Sequence, residues 1–274
     1  MKVLKSVGVF AFYSIPVWAM TAFAESDGHK SAVTPPFGGC ENYGPQAPRD
    51  IDSLLGEDST EFRLAMPSTE LNLCNIHLHT NAEHKAKEFS IMGGEGDHTG
   101  YQCTISTGLT TREQKIPSGD ICGGLKPGDT IEVHWVHTSC NTEPGAGLGS
   151  CSSQACLNPE LRVEAQVFTL VNDSSAMQFS DFDLAPNKLN GKFQPASLPI
   201  STGAPVEYLG STTGPKYNDQ QCSPYQVTWS VRPQCAKLDI NSLGKWCKTN
   251  KFDEHHAHGV RKLVVNPSLI STIK

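Results

Sequence analysis

The sequence predicts a mainly β fold, α+β with few short helices, organised as one domain. Three observations point there. The chain is broken often, by 24 glycines and 18 prolines, so its periodic runs are short. The clearest runs are Asn72 to His79, Thr130 to His137, Leu161 to Val171 and Tyr225 to Val231, and all four suit strands. Helical patterning is confined to Ala82 to Phe89 and Asn241 to Cys247, each roughly two turns long.

Taken in order, the chain opens with Lys2 and Lys5, an apolar run from Val7 to Met20, and Ala22-Phe23-Ala24 before its first acid, Glu25. This is the pattern of a secretory signal peptide over residues 1–24. Pro16 and the small-residue triplet favour removal over an uncleaved anchor, and no later segment could span a bilayer. Cleavage takes two lysines away, moving the formal charge from -6 to -8. That balance argues against a nucleic-acid partner. The remaining residues, 25–274, suffice for one core, without a repeat or a long linker.

All ten cysteines follow the cleavage site, and an even number in an exported chain argues for disulfides. Their spacings do not fit zinc ligation by thiolates, so sulfur is assigned to cross-links and any metal to histidine. The stretch 139–159, rich in Gly, Ser and Cys, reads as a disulfide-tied surface excursion.

The chemistry concentrates in Asn75-Ile76-His77-Leu78-His79-Thr80-Asn81-Ala82-Glu83-His84. On a strand, Asn75, His77 and His79 share one face while Ile76 and Leu78 pack on the other. Two imidazoles so placed can bind one metal ion. A third ligand is best sought in Glu132-Val133-His134-Trp135-Val136-His137, where Glu132, His134 and Val136 share a face and His137 takes the other. Three neutral imidazoles would leave Zn2+ its full charge and an open fourth position for water.

Cys74 through His84 resembles the Cys-Asn-Ile-His-x-His-x-Asn-Ala-Glu-His run of delta-class carbonic anhydrases. Four further pieces resemble the alpha class, in the same order: Gly44 to Ile51 its Q-S-P-x-x-I segment, Asn75 to His79 its ligand strand, Glu132 to His137 its E-L-H-L-V-H strand, and Gly210 to Pro215 with Val227-Thr228-Trp229 its threonine loop and following strand. The resemblance implies a carbonic-anhydrase-like domain around a central, largely antiparallel sheet, hydrating carbon dioxide reversibly to bicarbonate by zinc-bound hydroxide. It implies His77, His79 and His134 as zinc ligands, and Asn75 and Glu132 as acceptors that orient them. Thr212 or Thr213 would accept a hydrogen bond from the hydroxide's proton, Glu83 would accept from that threonine, Val136 and Trp229 would line the substrate pocket, and His137 would be structural.

Departures from the alpha pattern are also legible. The 54 residues between His79 and His134 imply an insertion over about 85–128, carrying Cys103 and Cys122, which are expected to pair with each other. Glu83 follows the ligands early, leaving Glu88 as its rival. The alpha-class leucine before the paired threonines is absent, so the pocket wall must differ. His84, His98 and the cluster His255, His256 and His258 are candidates for a proton shuttle or are plain surface histidines. Some exported alpha-class enzymes join a cysteine before the first segment to one after the threonine loop, implying Cys40 with Cys222. Cys235 with Cys247, a pair within Cys140, Cys151 and Cys156, and Cys74 with the third of that trio complete the set.

Two other classes stay open. His77-x-His79-x-x-x-Glu83 also resembles a cupin motif, which would make His77, His79, Glu83 and His134 ligands of Fe or Mn in an oxygenase or isomerase. A non-catalytic zinc-binding domain is the other. The oligomeric state is not legible.

Overall fold

The computed structural model describes residues 39–40 and 42–274; the expected signal peptide lies outside them. Eight strands and one α-helix make up the regular structure: β1 (Asn72–Thr80), β2 (Phe89–Gly93), β3 (Gly100–Cys103), β4 (Thr130–Thr138), β5 (Leu161–Val171), β6 (Val206–Ser211), β7 (Gln226–Val231), β8 (Ala236–Asp239) and α1 (Ile240–Thr249). The four long runs read from the sequence are β1, β4, β5 and β7, within one residue at either end. Among the described residues, no helix is long and apolar enough to cross a membrane.

The central sheet runs β1-β4-β5-β7-β6, with β8 also paired to β5. Three of its pairings are antiparallel, but β5 meets both β7 and β8 in parallel, so the sheet is mixed. The connection from β5 to β7 is long enough for the crossover that a parallel pair requires. Side-chain alternation gives the sheet two buried faces. On one, Ile76, Leu78, Ile131, Val133, Trp135 and Phe168 pack beneath Leu243 and Trp246 of α1. On the other, Val136, Val163, Ala165, Val167 and Trp229 carry the site.

Helix α1 begins where Asp239 accepts a hydrogen bond from the Ser242 N–H at 3.1 Å, an ordinary N-cap. The other expected helix does not form. Asn81 turns the chain with φ 66°, Ala82 pairs with Tyr101, and the Glu83 and His84 N–H groups donate to Glu132 Oε2 at 2.6 and 3.2 Å. Those donors are therefore lost to an i→i−4 ladder, and tertiary contacts override the local pattern.

Cys40 is joined to Cys222, Cys74 to Cys151, and Cys140 to Cys156. The expected Cys103–Cys122 and Cys235–Cys247 bonds do not form. Instead Cys103 bonds Cys235 and Cys122 bonds Cys247, because the hairpin of β2 and β3 lies beside the turn before β8, and the 121–125 turn packs on α1. Five disulfides suit an oxidising compartment.

His137 sits on the back face, fully buried, its Nδ1–H donating to the Trp135 carbonyl at 3.0 Å while Nε2 has no partner. Burial lowers its pKa to about 4 against the partial counter-pull of Glu164. The folded state thus refuses a proton that the unfolded chain accepts below about pH 6.5. The resulting stability is present above that pH and is lost as pH falls toward about 4, on the order of 3 kcal/mol. Measured by urea unfolding, the stability of native protein relative to His137→Leu should therefore fall as pH drops through this window; a constant difference would refute the assignment.

Candidate metal centre

Antiparallel register between β1 and β4 sets His77 opposite His134, Asn75 opposite Val136 and His79 opposite Glu132. Each imidazole is then fixed through one nitrogen. His77 Nδ1–H donates to Asn75 Oδ1 at 2.7 Å, His79 Nδ1–H to the Gly259 carbonyl at 2.9 Å, and His134 Nε2–H to Glu132 Oε1 at 3.1 Å. The remaining nitrogens, His77 Nε2, His79 Nε2 and His134 Nδ1, are lone-pair donors. One nitrogen from each ring lies within 4.8 Å of the others, and His77 Nε2 is 3.2 Å from His134 Nδ1. His79 Nε2 is buried without any hydrogen-bond partner. Facing lone pairs and an orphaned buried acceptor are unfavourable unless a cation lies between them. The set therefore fits a metal ion, and an all-imidazole donor set suits zinc. Burial, with the neighbouring imidazoles, holds His77 well below its ordinary pKa; burial also lowers His79 despite Glu83 nearby. Both stay in the neutral form a metal needs.

Beneath the ligand rings lies a polar network that the sequence did not reveal. Glu132 accepts from His134, from the Glu83 and His84 backbone, and from His84 Nδ1 at 2.6 Å, while His84 Nε2 meets the Tyr208 hydroxyl at 2.7 Å. Burial pushes the Glu132 carboxyl up, but the His84 and His134 imidazoles outweigh it and hold the group well below the usual carboxylate range. His84 is wholly buried, so it is neither a surface histidine nor on a route to solvent. Its partners come from β4 and β6, 48 and 124 residues away, and no local pattern announces them.

Glu83 stands elsewhere than expected. Its Oε1 accepts the Arg261 N–H at 3.1 Å and lies 3.5 Å from His79 Nδ1, and Oε2 has no partner. It does not reach a threonine, because the Glu-His pair follows His79 so closely that it is held behind the ligand strand. The Thr212 hydroxyl is bonded to Ser223 at 2.6 Å instead; Thr213 has no side-chain partner among the described residues. Glu88 is further off, accepting the Cys235 N–H at 3.0 Å. A cupin set fails for the same reason, since Glu83 lies on the Nδ1 side of His79, away from the three converging nitrogens.

A cavity of about 50 Å3 adjoins the three rings, lined by Val136, Leu161, Val163, Val227 and Trp229 together with Leu148, Thr212 and Thr213. An adjoining mouth of about 330 Å3 reaches His77 and His79 past Phe252, Asp253, Glu254 and His258. Of the exposed histidines singled out above, His258 is the one at this mouth, its ring centroid 6.2 Å from that of His77 and 6.3 Å from that of His79. His98 and His256 line a separate surface cavity.

The delta carbonic anhydrase family model matches residues 68–242. No curated protein gives a significant match. Similar solved structures include a hyperthermostable carbonic anhydrase identified from an active hydrothermal vent chimney, at 15% identity over 82% of this chain and 90% of that chain, TM-score 0.31. Carbonic anhydrase Cah3 from Chlamydomonas reinhardtii, in complex with acetazolamide, is similar at 16% identity over 90% and 97%, TM-score 0.36. The alpha-carbonic anhydrase of Thermovibrio ammonificans, in complex with sulfanilamide, gives 15% over 80% and 87%, TM-score 0.27. These structural likenesses are weak, and the family match carries the assignment. Spanning well over half of the sequence, from before β1 into α1, it shows that the chain is a carbonic anhydrase belonging to the delta carbonic anhydrase family.

Proposed function

We propose that this carbonic anhydrase hydrates carbon dioxide with a zinc ion held by His77 Nε2, His79 Nε2 and His134 Nδ1. The observation that carries this reading is the convergence of one free nitrogen from each of three imidazoles, each with its other nitrogen already engaged. When bound in such a set, zinc keeps its full positive charge and acidifies a water at its open position enough to supply hydroxide near neutral pH.

The chain's own residues do the rest. Asn75, Glu132 and the Gly259 carbonyl fix tautomer and ring direction, so no reorganisation is needed at loading. Val136, Val163, Val227 and Trp229 offer no hydrogen bond toward the cavity; the Trp229 indole N–H is spent on the Ser211 carbonyl at 3.0 Å. This wall favours an apolar triatomic over water. The Thr213 hydroxyl, without a side-chain partner among the described residues, would accept a hydrogen bond from the attacking oxygen and so aim its lone pair; Thr212 is committed to Ser223. Glu83 buttresses His79 and Arg261 and accepts no hydrogen bond from a threonine. The mouth beside His258 carries protons and bicarbonate to solvent.

As proposed, residues 25–274 act as one catalytic domain in the periplasm or outside the cell, after loss of residues 1–24. Stopped-flow hydration on oxidised protein tests the reaction. Activity should vanish on chelation and return with zinc; a folded sample with stoichiometric zinc and no activity would refute it.

A further inference from the structure

Leu148 is the one residue shared by three cavities: the chamber at the imidazoles, the mouth, and a groove of about 760 Å3. The groove is bordered by Phe62, Leu157, Pro159 and Tyr225, and Phe62, Leu157 and Tyr225 are exposed. Its lining mixes these apolar side chains with Asn158, Lys216 and Gln226, and it is large enough for an aromatic ring. The chamber, at about 50 Å3, is far below the roughly 300–1,000 Å3 of sites that take drug-sized ligands. Between chamber and groove stand Leu148, Leu161, Thr212 and Thr213. Leu161 starts β5, paired with Thr138, and Thr212, just past β6, donates its N–H to the Tyr225 carbonyl at 2.9 Å. Leu148 alone belongs to the cysteine-rich stretch.

That stretch is held firmly over the site. Gly147 turns the chain at φ 60°, and Leu148 opens a 3-10 turn, Leu148–Cys151, whose last residue is bonded to Cys74 beside the ligand strand. Ser150 Oγ donates to the Cys74 carbonyl at 2.8 Å, and the Gly145 N–H does so at 3.0 Å. Asn75 Nδ2 donates to the Gly145 carbonyl at 3.0 Å while its Oδ1 holds His77. The segment that presents Leu148 is thus pinned to the residue that orients a ligand.

Building on the proposed hydration reaction, we infer that Leu148 sets the size limit of the site: its side chain closes the chamber against the groove and so excludes carbonyl substrates larger than carbon dioxide. A larger electrophile reacts by the same addition: a water oxygen attacks the acyl carbon of an aryl acetate, the acyl–oxygen bond breaks, and acetate and phenolate leave while the water's two protons pass to solvent.

The test compares native protein, Leu148→Ala and Leu148→Phe, each zinc-loaded, on carbon dioxide and on 4-nitrophenyl acetate. The ratio of kcat/KM for ester over carbon dioxide should rise at least about tenfold in Leu148→Ala, the scale on which small changes in an apolar pocket discriminate. In Leu148→Phe it should not rise. A metal-independent readout accompanies this. Xenon-pressurised crystals of the metal-free proteins should show xenon confined to the chamber in native protein, and xenon continuous from chamber into groove in Leu148→Ala. An unchanged ratio with separate xenon sites in Leu148→Ala overturns the inference. Native zinc protein inactive on carbon dioxide would instead sink the proposed function, and the xenon sites would still decide what Leu148 encloses.

Discussion

His134→Ala is expected to bring carbon dioxide hydration down to the level of metal-stripped protein while leaving the fold intact. The imidazole is one of three whose free nitrogens converge, and two remaining rings provide neither the charge-neutral cage nor the tetrahedral closure that a catalytic zinc site requires. The loss should exceed the about 10–100-fold that removal of an outer hydrogen-bond partner costs. Stability should suffer less than in a typical core truncation, since the lost ring lies against the cavity and its facing lone-pair contact with His77 disappears with it. Circular dichroism and zinc content, measured on the same sample as turnover, separate the outcomes. A folded variant retaining both zinc and activity would remove His134 from the proposed centre.

Glu132→Gln should weaken zinc binding by about 10–100-fold and also destabilise the fold. Four N–H groups point at this carboxylate, two on each oxygen, and an amide has only one acceptor oxygen. Whichever way it turns, its NH2 confronts donors, so either His134 loses the partner that fixes its tautomer or the backbone at Glu83 and His84 is left unsatisfied inside the protein. Leaving buried donors unpaired costs about 1–3 kcal/mol each. Competition against a zinc-sensitive chelator, together with thermal unfolding with and without metal, reads both effects. Native-like affinity in a variant that unfolds at the native temperature would mean that Glu132 does not orient the ligand.

The ligand strands were legible because their information is local. Alternation alone put Asn75, His77 and His79 on one face, Glu132 and His134 on another, and His137 behind the sheet. The support beneath them was not legible, for a physical reason: Gly259 and Arg261 meet residues near 80 across about 180 positions of sequence, and nothing in a glycine or an arginine declares such a partner. The misread stretch 82–89 shows the converse, a helical pattern overruled once Glu132 and Tyr101 claim its backbone groups. Cys103 and Cys122 were paired on nearness in sequence, whereas the fold brings β8 and α1 to them. Leu148 carried no signal at all, since a lone leucine among glycines and serines looks like ordinary surface.

The return of the segment around Gly259 to β1 also dictates an order of assembly. His258 donates its N–H to the Leu78 carbonyl and accepts from Thr80 N–H, so the late segment flanks the ligand strand at 2.7 and 2.9 Å. A chain emerging from its amino end displays His77 and His79 long before the carbonyl that orients one of them exists. Four of the five disulfides span 77 to 182 residues, and such distant closures form late and slowly. At the proposed zinc site, metal capture would therefore follow the docking of this late segment on β1 rather than precede it.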